Sequence, residues 1–334
     1  MSVEVLVGGN VDISDFVKSV EYSGDSTKFN RQLTVSLLAT ADGRKRAYEL
    51  SEGSTITFRY DGKTRFVGVI FSIDISSGGD MSITAYDSNI YLAKSYDSRI
   101  FTNKKASDII KMFAQDFGIP IGSIVDTGFV IPYLKFQNTT LFDMIATALT
   151  ITRKQTGKRY FVGNDNGKLV LKEGAAATTR YVFKDGENLI SASYSRSIED
   201  VKTQVKVIGG AKGKETVILA RDDAARNKYG VLQAVEVLDE NATASQVKQR
   251  ASALLKEQAQ VSEQLNIEVL GVVEVDVGSA VYIQNEMMKT SGAYFVTNIT
   301  QSFSSGAFTM SLELSRTYEL PEIQISDDVT SRED

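Results

Sequence analysis

The chain has 334 residues, 42% of them hydrophobic, and a formal net charge of −5. It is long enough to bury large cores and to divide into two to four domains. Cysteine, histidine and tryptophan are all absent, which excludes a structural zinc site, a cysteine nucleophile and a Ser-His-Asp triad; any catalysis would rest on Asp, Glu, Lys, Tyr or a carboxylate-bound metal. Basic residues are dispersed, which argues against tight phosphate binding. Met1 to Asn10 is no charged-then-apolar leader and no apolar run approaches bilayer length, so the expectation is a soluble chain with no classical export signal and no membrane insertion.

Residues 1 to about 92 read as strands. Leu33, Val35 and Leu37 alternate, as do Ile56, Phe58 and Tyr60, and Asp61-Gly62 supplies a hairpin turn. Val67, Val69, Phe71, Ile73 and Ile75 continue the period before Ser76-Ser77-Gly78-Gly79 turns the chain into Met81 to Ala85. Short antiparallel strands at this spacing indicate a small barrel or sandwich. Near Thr102 the pattern changes. Ser107-Asp108 caps a helix carrying Ile109, Ile110, Phe113 and Phe117 on one face, stopped by Gly118 and Pro120. A second helix follows Thr139-Thr140 with Leu141, Met144, Ile145, Ala148 and Leu149 at helical spacing and Gly157 past its end. Tyr160 to Leu171 forms a hairpin around Asn164-Asp165-Asn166-Gly167. Gly174 to Thr179 is the best linker. Strands resume at Tyr181 to Phe183, Leu189 to Tyr194 and Val201 to Ile208, and a capping box of Thr243 and Gln246 opens a helix from Ala244 to Gln258. Val247, Ala251, Leu254 and Leu255 line its buried face. Strand patterns return at Leu265 to Leu270 and run to Tyr318. The acidic tail from Pro321 to Asp334 is expected to be loose unless a partner orders it.

The first hundred residues recur faintly in the second half. Ser19-Val20-Glu21-Tyr22-Ser23 and Gln32-Leu33-Thr34-Val35 match Ser191-Ala192-Ser193-Tyr194-Ser195 and Gln204-Val205-Lys206-Val207, and 191 − 19 and 204 − 32 both give 172. Gly53-Ser54-Thr55-Ile56 matches Gly278-Ser279-Ala280-Val281 at 225. Phe66-Val67, Ile70 and Met81-Ser82-Ile83 match Phe295-Val296, Ile299 and Met310-Ser311-Leu312 at 229. Offsets that only grow between blocks indicate two copies of one fold, an insertion of 53 residues (225 − 172) in copy two, and a longer loop near Asn285 to Ser291. The alternative is one large β-rich fold with coincidental matches. The fold class read here is multidomain α+β, mainly β: a first β-barrel at 1–95, an α+β domain at 96–175, a second related β-barrel at 176–210 with 265–320, an inserted α/β domain at 211–264, and the tail at 321–334.

Chemical motifs are weak. Gly209-Gly210-Ala211-Lys212-Gly213-Lys214-Glu215-Thr216 is one residue short of a phosphate loop and carries Glu215 where a hydroxyl would bind magnesium, so it reads as a hairpin tip. Asp165-Asn166-Gly167 lacks the remaining oxygen ligands of a calcium loop. Asn103-Lys104-Lys105 and Gly210 to Lys214 read as solvated loops. The acid pairs Glu49 with Glu52, Asp222 with Asp223 and Glu199 with Asp200 are the remaining route to glycan hydrolysis, and nothing in the sequence brings a pair across a cleft. No catalytic, cofactor or metal residue is assigned. Strand edges, the inserted helix and the tail are unranked interface candidates.

Asn10-Val11-Asp12-Ile13-Ser14-Asp15-Phe16-Val17, followed by Tyr22-Ser23-Gly24-Asp25 and Arg31 to Val35, resembles the opening of baseplate hub proteins of contractile phage tails. Ala85-Tyr86-Asp87-Ser88 with Tyr91-Leu92, then Phe101 to Ile110 and Phe117-Gly118-Ile119, is similar to hubs of PBSX-like defective prophages and of phage-tail-like bacteriocins of Gram-positive bacteria. These belong to the late control protein D superfamily, with the hub part of VgrG spikes of type VI secretion. The resemblance continues through Leu189 to Gly209 and Tyr229 to Leu232. It implies two related barrels, two smaller α/β domains and a homotrimer. Six barrels from three chains would meet a sixfold tail tube on one side while the hub holds a threefold spike on the other. It also implies other baseplate partners, assembly in the bacterial cytoplasm, and a lumen through which DNA passes without specific binding. No cofactor is implied, and the lysozyme-like or peptidase domain of some relatives is missing. The competing expectations are a distal-tail or glycan-binding adhesion module and a carboxylate-dependent cell-wall glycosidase.

Overall fold

The computed structural model describes residues 2–40, 47–174, 181–304, 306–316 and 327–330. It is a multidomain, mainly β chain with several antiparallel sheets. The first strands are β1 (Val3–Val7), β2 (Val11–Asp12), β3 (Val17–Asp25), β4 (Arg31–Leu38), β5 (Thr55–Tyr60), β6 (Lys63–Ile75) and β7 (Asp80–Tyr86). They pair in the order β3-β4-β7-β6-β5-β1-β2. Period-two alternation puts Leu33, Val35, Leu37, Ile56, Phe58 and Ile83 in the core. Asp61 and Gly62 both take positive φ (47° and 73°), the conformation a two-residue hairpin loop requires.

Next come α1 (Ile90–Lys94), β8 (Tyr96–Lys105), α2 (Ala106–Asp116), β9 (Ile121–Ile124), β10 (Val130–Thr140), α3 (Leu141–Thr156), β11 (Tyr160–Asp165) and β12 (Lys168–Glu173). Ile109, Ile110 and Phe113 of α2 share a core with Met144, Ile145 and Ala148 of α3 and with Leu169 and Leu171. The Thr140 hydroxyl caps α3 by accepting the Asp143 N–H, and left-handed Gly157 ends it. Helix α2 starts earlier than the Ser107-Asp108 cap read from sequence. Asp108 instead accepts the Lys105 N–H, while Ser107 is buried against Thr127.

The remaining elements are β13 (Tyr181–Lys184), β14 (Leu189–Ser197), β15 (Gln204–Gly209), β16 (Thr216–Arg221), α4 (Asp223–Tyr229), β17 (Gln233–Val237), α5 (Ala244–Gln258), β18 (Ser262–Leu270), β19 (Ala280–Asn285), β20 (Thr290–Ser304), β21 (Ala307–Ser315) and α6 (Asp327–Thr330). The chain divides into two compact units, Met1–Ala192 with Asn266–Asp334, and Ser193–Leu265. In the second unit β15 is the centre of a three-stranded sheet, antiparallel to β16 and parallel to β17. Val205 and Val207 pack on Val247, Ala251 and Leu254 of α5. The Thr243 and Gln246 capping box forms as read, each side chain accepting the other's backbone N–H.

Strand order repeats. β14-β18-β21-β20-β19 follows the same succession as β3-β4-β7-β6-β5. Strands β3 and β14 have equal length and keep the offset of 172 (189 − 17). The second block is corrected: Gln204 to Val207 is not the counterpart of Gln32 to Val35, because β15 pairs inside the inserted sheet. The strand between β14 and β21 is β18, so Gln264-Leu265-Asn266-Ile267 takes that place, at an offset of 232 (264 − 32). Leu265, Ile267 and Val269 are buried as Leu33, Val35 and Leu37 are. The insertion in copy two is therefore 60 residues (232 − 172), and the inserted unit begins at Ser193 instead of 211.

The turns entering β5 and β19 are alike. Gly53 and Gly278 both have φ of 83°. Gly53 donates to the Ile70 carbonyl at 2.8 Å and Ile70 donates back to Ser54 at 2.9 Å; Gly278 and Val296, then Val296 and Ser279, repeat both bonds at 2.9 Å. This fixes 225 for β5 with β19 and 226 (296 − 70) for β6 with β20. Met81 with Met310 keeps 229 for β7 with β21, because Ile75 pairs with Met81 as Gln301 pairs with Met310. Of the four extra residues read at the Asn285 to Ser291 loop, one (226 − 225) lies there and three (229 − 226) lengthen the β20–β21 hairpin. Offsets also do not only grow: the fall from 232 to 225 reflects a β4–β5 connection seven residues longer in copy one.

Candidate functional site

Two repeated strand sets in one chain must be joined, and the joint carries a polar clasp. Asn298 to Ser304 of β20 pairs antiparallel with Ser19 to Asp25 of β3. Above that ladder, Asp276 from the turn before β19 accepts from Tyr22 Oη at 3.2 Å and from Arg31 Nε at 3.3 Å. Gly24 is required beside this clasp, since a Cβ there would stand 2.7 Å from Arg31 Cδ and 3.0 Å from Val277. Burial opposes the charge on Arg31, yet Asp276 and Asp87 hold its pKa above the ordinary guanidinium value. Burial, reinforced by Asp276, pushes the Tyr22 hydroxyl well up.

Asp87 carries the clasp to the α+β region. Its carboxylate accepts the Arg31 N–H at 3.0 Å and the Asn89 N–H at 2.9 Å. Burial pushes its pKa up to about 7 against the lowering effect of those N–H donors and of Arg31. Asn89, fully buried, donates to the Phe29 and Gly163 carbonyls, both at 2.9 Å. Ser88 Oγ donates to the Gly167 carbonyl at 3.1 Å. The Asp87-Ser88-Asn89 stretch thus ties the first strand set to the β11–β12 hairpin.

Below the joint the two sets share an aromatic cluster. Phe303 lies 5.0 Å from Phe58, 4.8 Å from Tyr60 and 4.3 Å from Phe308, stacked on the last. Gly271 lies against it, where a Cβ would meet the Phe308 ring at 2.2 Å. These partners come from distant parts of the sequence, so residue spacing could not bring them together.

The residues singled out by sequence fall elsewhere. Asn166 and Gly167 form the left-handed turn of the β11–β12 hairpin (φ 50° and 83°). Gly210 to Lys214 is the β15–β16 tip, closed by a Lys214 to Ala211 bond. Asn103-Lys104-Lys105 is not a loop but the end of β8, with Lys105 paired to Asp126 at 2.7 Å. Asp222 caps α4 through the Ala225 N–H, and Asp223 pairs with Arg226. Glu49, Glu52, Glu199 and Asp200 are exposed. Among the described residues no cluster of three acids could hold a metal, and no helix is long and apolar enough to cross a membrane. The linker from Ala175 to Thr179 and most of the tail from Pro321 lie outside the described residues. Within the tail, Val329 of α6 packs on the α+β core.

In the second unit, the sheet face away from α5 exposes Val217, Leu219, Val235 and Val237. In the first, Phe71 and Ile75 of β6 are exposed.

Residues 20–315 match the YQBQ-like family. The phage-like element PBSX protein XkdQ of Bacillus subtilis (strain 168) is 33% identical over 307 residues, 91% of this chain and 94% of that protein. The 43 kDa tail protein of prophage MuSo2 from Shewanella oneidensis has the same fold at a TM-score of 0.74 and 16% identity, covering 95% of this chain and 98% of that one. The E. coli c3393 protein, a type VI secretion component described as structurally similar to the T4 tail proteins gp27 and gp5, matches at a TM-score of 0.53 and 10% identity, over 96% of this chain and 76% of that one. The chain belongs to the YQBQ-like family, with a relative in the PBSX phage-like element and the fold of phage tail proteins.

Proposed function

We propose that the protein is the structural baseplate hub of a contractile tail or tail-like particle, a homotrimer that joins a sixfold tail tube to a threefold spike. The observation that carries this reading is the repeated strand order, with two equivalent strand sets joined edge to edge through β20 and β3. Three such chains offer six like modules to a sixfold partner while keeping only threefold symmetry elsewhere, which is the simplest way to bridge the mismatch. The features elaborated in the first unit are joints: the Tyr22, Arg31 and Asp276 clasp, the Asp87 and Asn89 tie, and the Phe303 cluster. A protein acting by interfaces needs such rigid joints to hold its two modules in fixed relation.

The test is immunogold labelling of tail-like particles carrying an epitope-tagged chain, with a zymogram of the pure protein alongside. The expected result is gold at the spike end of the tube and no lysis of peptidoglycan. Gold along the sheath or on the fibres, or lysis by the pure protein, overturns the assignment.

A further inference from the structure

The β3–β20 joint has one unused counterpart on each side. In copy one, β3 sits inside the strand order because β20 pairs with it; its equivalent in copy two, β14, ends the order, and among the described residues β18 is its single strand neighbour beyond an isolated bridge from Leu189 to Asp185. Conversely, β20 takes β19, then β3, along one side. Its equivalent β6 takes β5 only as far as Val69, and from Ser72 to Ile75 no strand follows on that side among the described residues. Burial agrees. Ile299 and Gln301 of β20 are buried, while Ile75, at the position of Gln301, is 42% exposed. Each chain therefore carries one open β14 edge and one open β6 edge, and the pairing that would satisfy both is already built once inside the chain.

We infer that β14 of one chain pairs antiparallel with the Ser72 to Ile75 edge of β6 in a second copy, repeating the β3–β20 joint between chains. The occupant is a second copy because the two edges are the counterparts of an existing interface. The contact is heterologous, so it propagates until a ring closes. That closure occurs at three chains, with six joints alternating within and between them, rests on the hub reading above. The register follows from the internal joint. Shifting Asn298 opposite Asp25 and Thr300 opposite Ser23 by 226 and 172 sets Ser72 opposite Ser197 and Asp74 opposite Ser195. Pairing covers two strand edges that would otherwise invite uncontrolled association.

The chain has no cysteine, so cysteine pairs test the register directly. Asp74→Cys with Ser195→Cys, and separately Ser72→Cys with Ser197→Cys, are introduced into the full chain. Each is treated with a short thiol cross-linker, both as pure protein and in assembled particles. Ser23→Cys with Thr300→Cys, opposite one another in the internal joint, is the positive control and closes within one chain. Ile73→Cys with Ser195→Cys, one residue out of register and on opposite faces, is the negative control. The expected result is a ladder of covalent dimer and trimer from both test pairs. A ladder from the out-of-register pair, or none from either test pair in either sample, overturns the interface and leaves the immunogold result to decide the hub. A ladder running past trimer supports the interface and overturns the three-chain ring.

Discussion

Replacing Asp276 by alanine should loosen the joint between the strand sets without unfolding the protein. The carboxylate accepts from Tyr22 and Arg31, and the Arg31 side chain is 11% exposed against 44% for Asp276. Breaking a fully buried ion pair costs about 3–5 kcal/mol. Here water reaches the acid side, so the loss is closer to that of hydrogen bonds to a charged group, about 1.5–3 kcal/mol. At a factor of ten per 1.4 kcal/mol, amide exchange in Ser19 to Asp25 of β3 and in the facing part of β20 should accelerate roughly 10- to 100-fold. Amides of α5, in the other compact unit, should keep their wild-type rates. Asp276→Asn, which retains an acceptor for Tyr22, should lose less. Tyr22→Phe should cost about 1 kcal/mol alone and almost nothing in the Asp276→Ala background, since the two share one interaction. Exchange in β3 within about twofold of wild type would refute the clasp, because that lies inside the scatter of uncoupled sites.

Other consequences follow from the same geometry. Folding raises the Asp87 pKa to about 7, so the folded state binds its proton more tightly than the unfolded state does. The stability this confers is complete below roughly pH 4 and is lost as pH rises to about 7, by up to about 4 kcal/mol. Asp87→Asn should flatten that part of the curve, seen as a wild-type minus variant difference in Tm across the range; parallel curves would contradict it. Phe303→Ala empties the centre of the shared aromatic cluster and should cost about 3–5 kcal/mol in denaturant unfolding, whereas Phe71→Ala, on the exposed β6 edge, should cost far less. Asn89→Ala removes two buried hydrogen bonds, to the Phe29 and Gly163 carbonyls, and should cost about 1–3 kcal/mol, read as faster exchange in β11.

Local signals in the sequence translated well where the chemistry was local. The Thr243 and Gln246 capping box, the Thr140 cap with Gly157, and the Asp61-Gly62 and Asn166-Gly167 turns are each set by a few adjacent residues, and each stands where it was read. Helices α1 and α4 were missed because five and seven residues are too few to show a helical period and depend on tertiary packing. The repeat was legible in β3 and β14, but not the partner of β4. Gln204-Val205-Lys206-Val207 and Gln264-Leu265-Asn266-Ile267 fit its alternating pattern equally well, and only the strand pairing separates them. Two hairpins of unequal length hid the 226 offset. The clasp was invisible because its partners lie 245 and 254 residues apart.

The central claim is that one chain supplies two equivalent modules to a six-module ring. Electron microscopy of the purified protein, with solution mass determined on the same sample, tests it most directly. The account predicts a particle of three chains whose averages show six similar outer lobes. A closed dimer or tetramer, or a trimer with only three lobes, would contradict it.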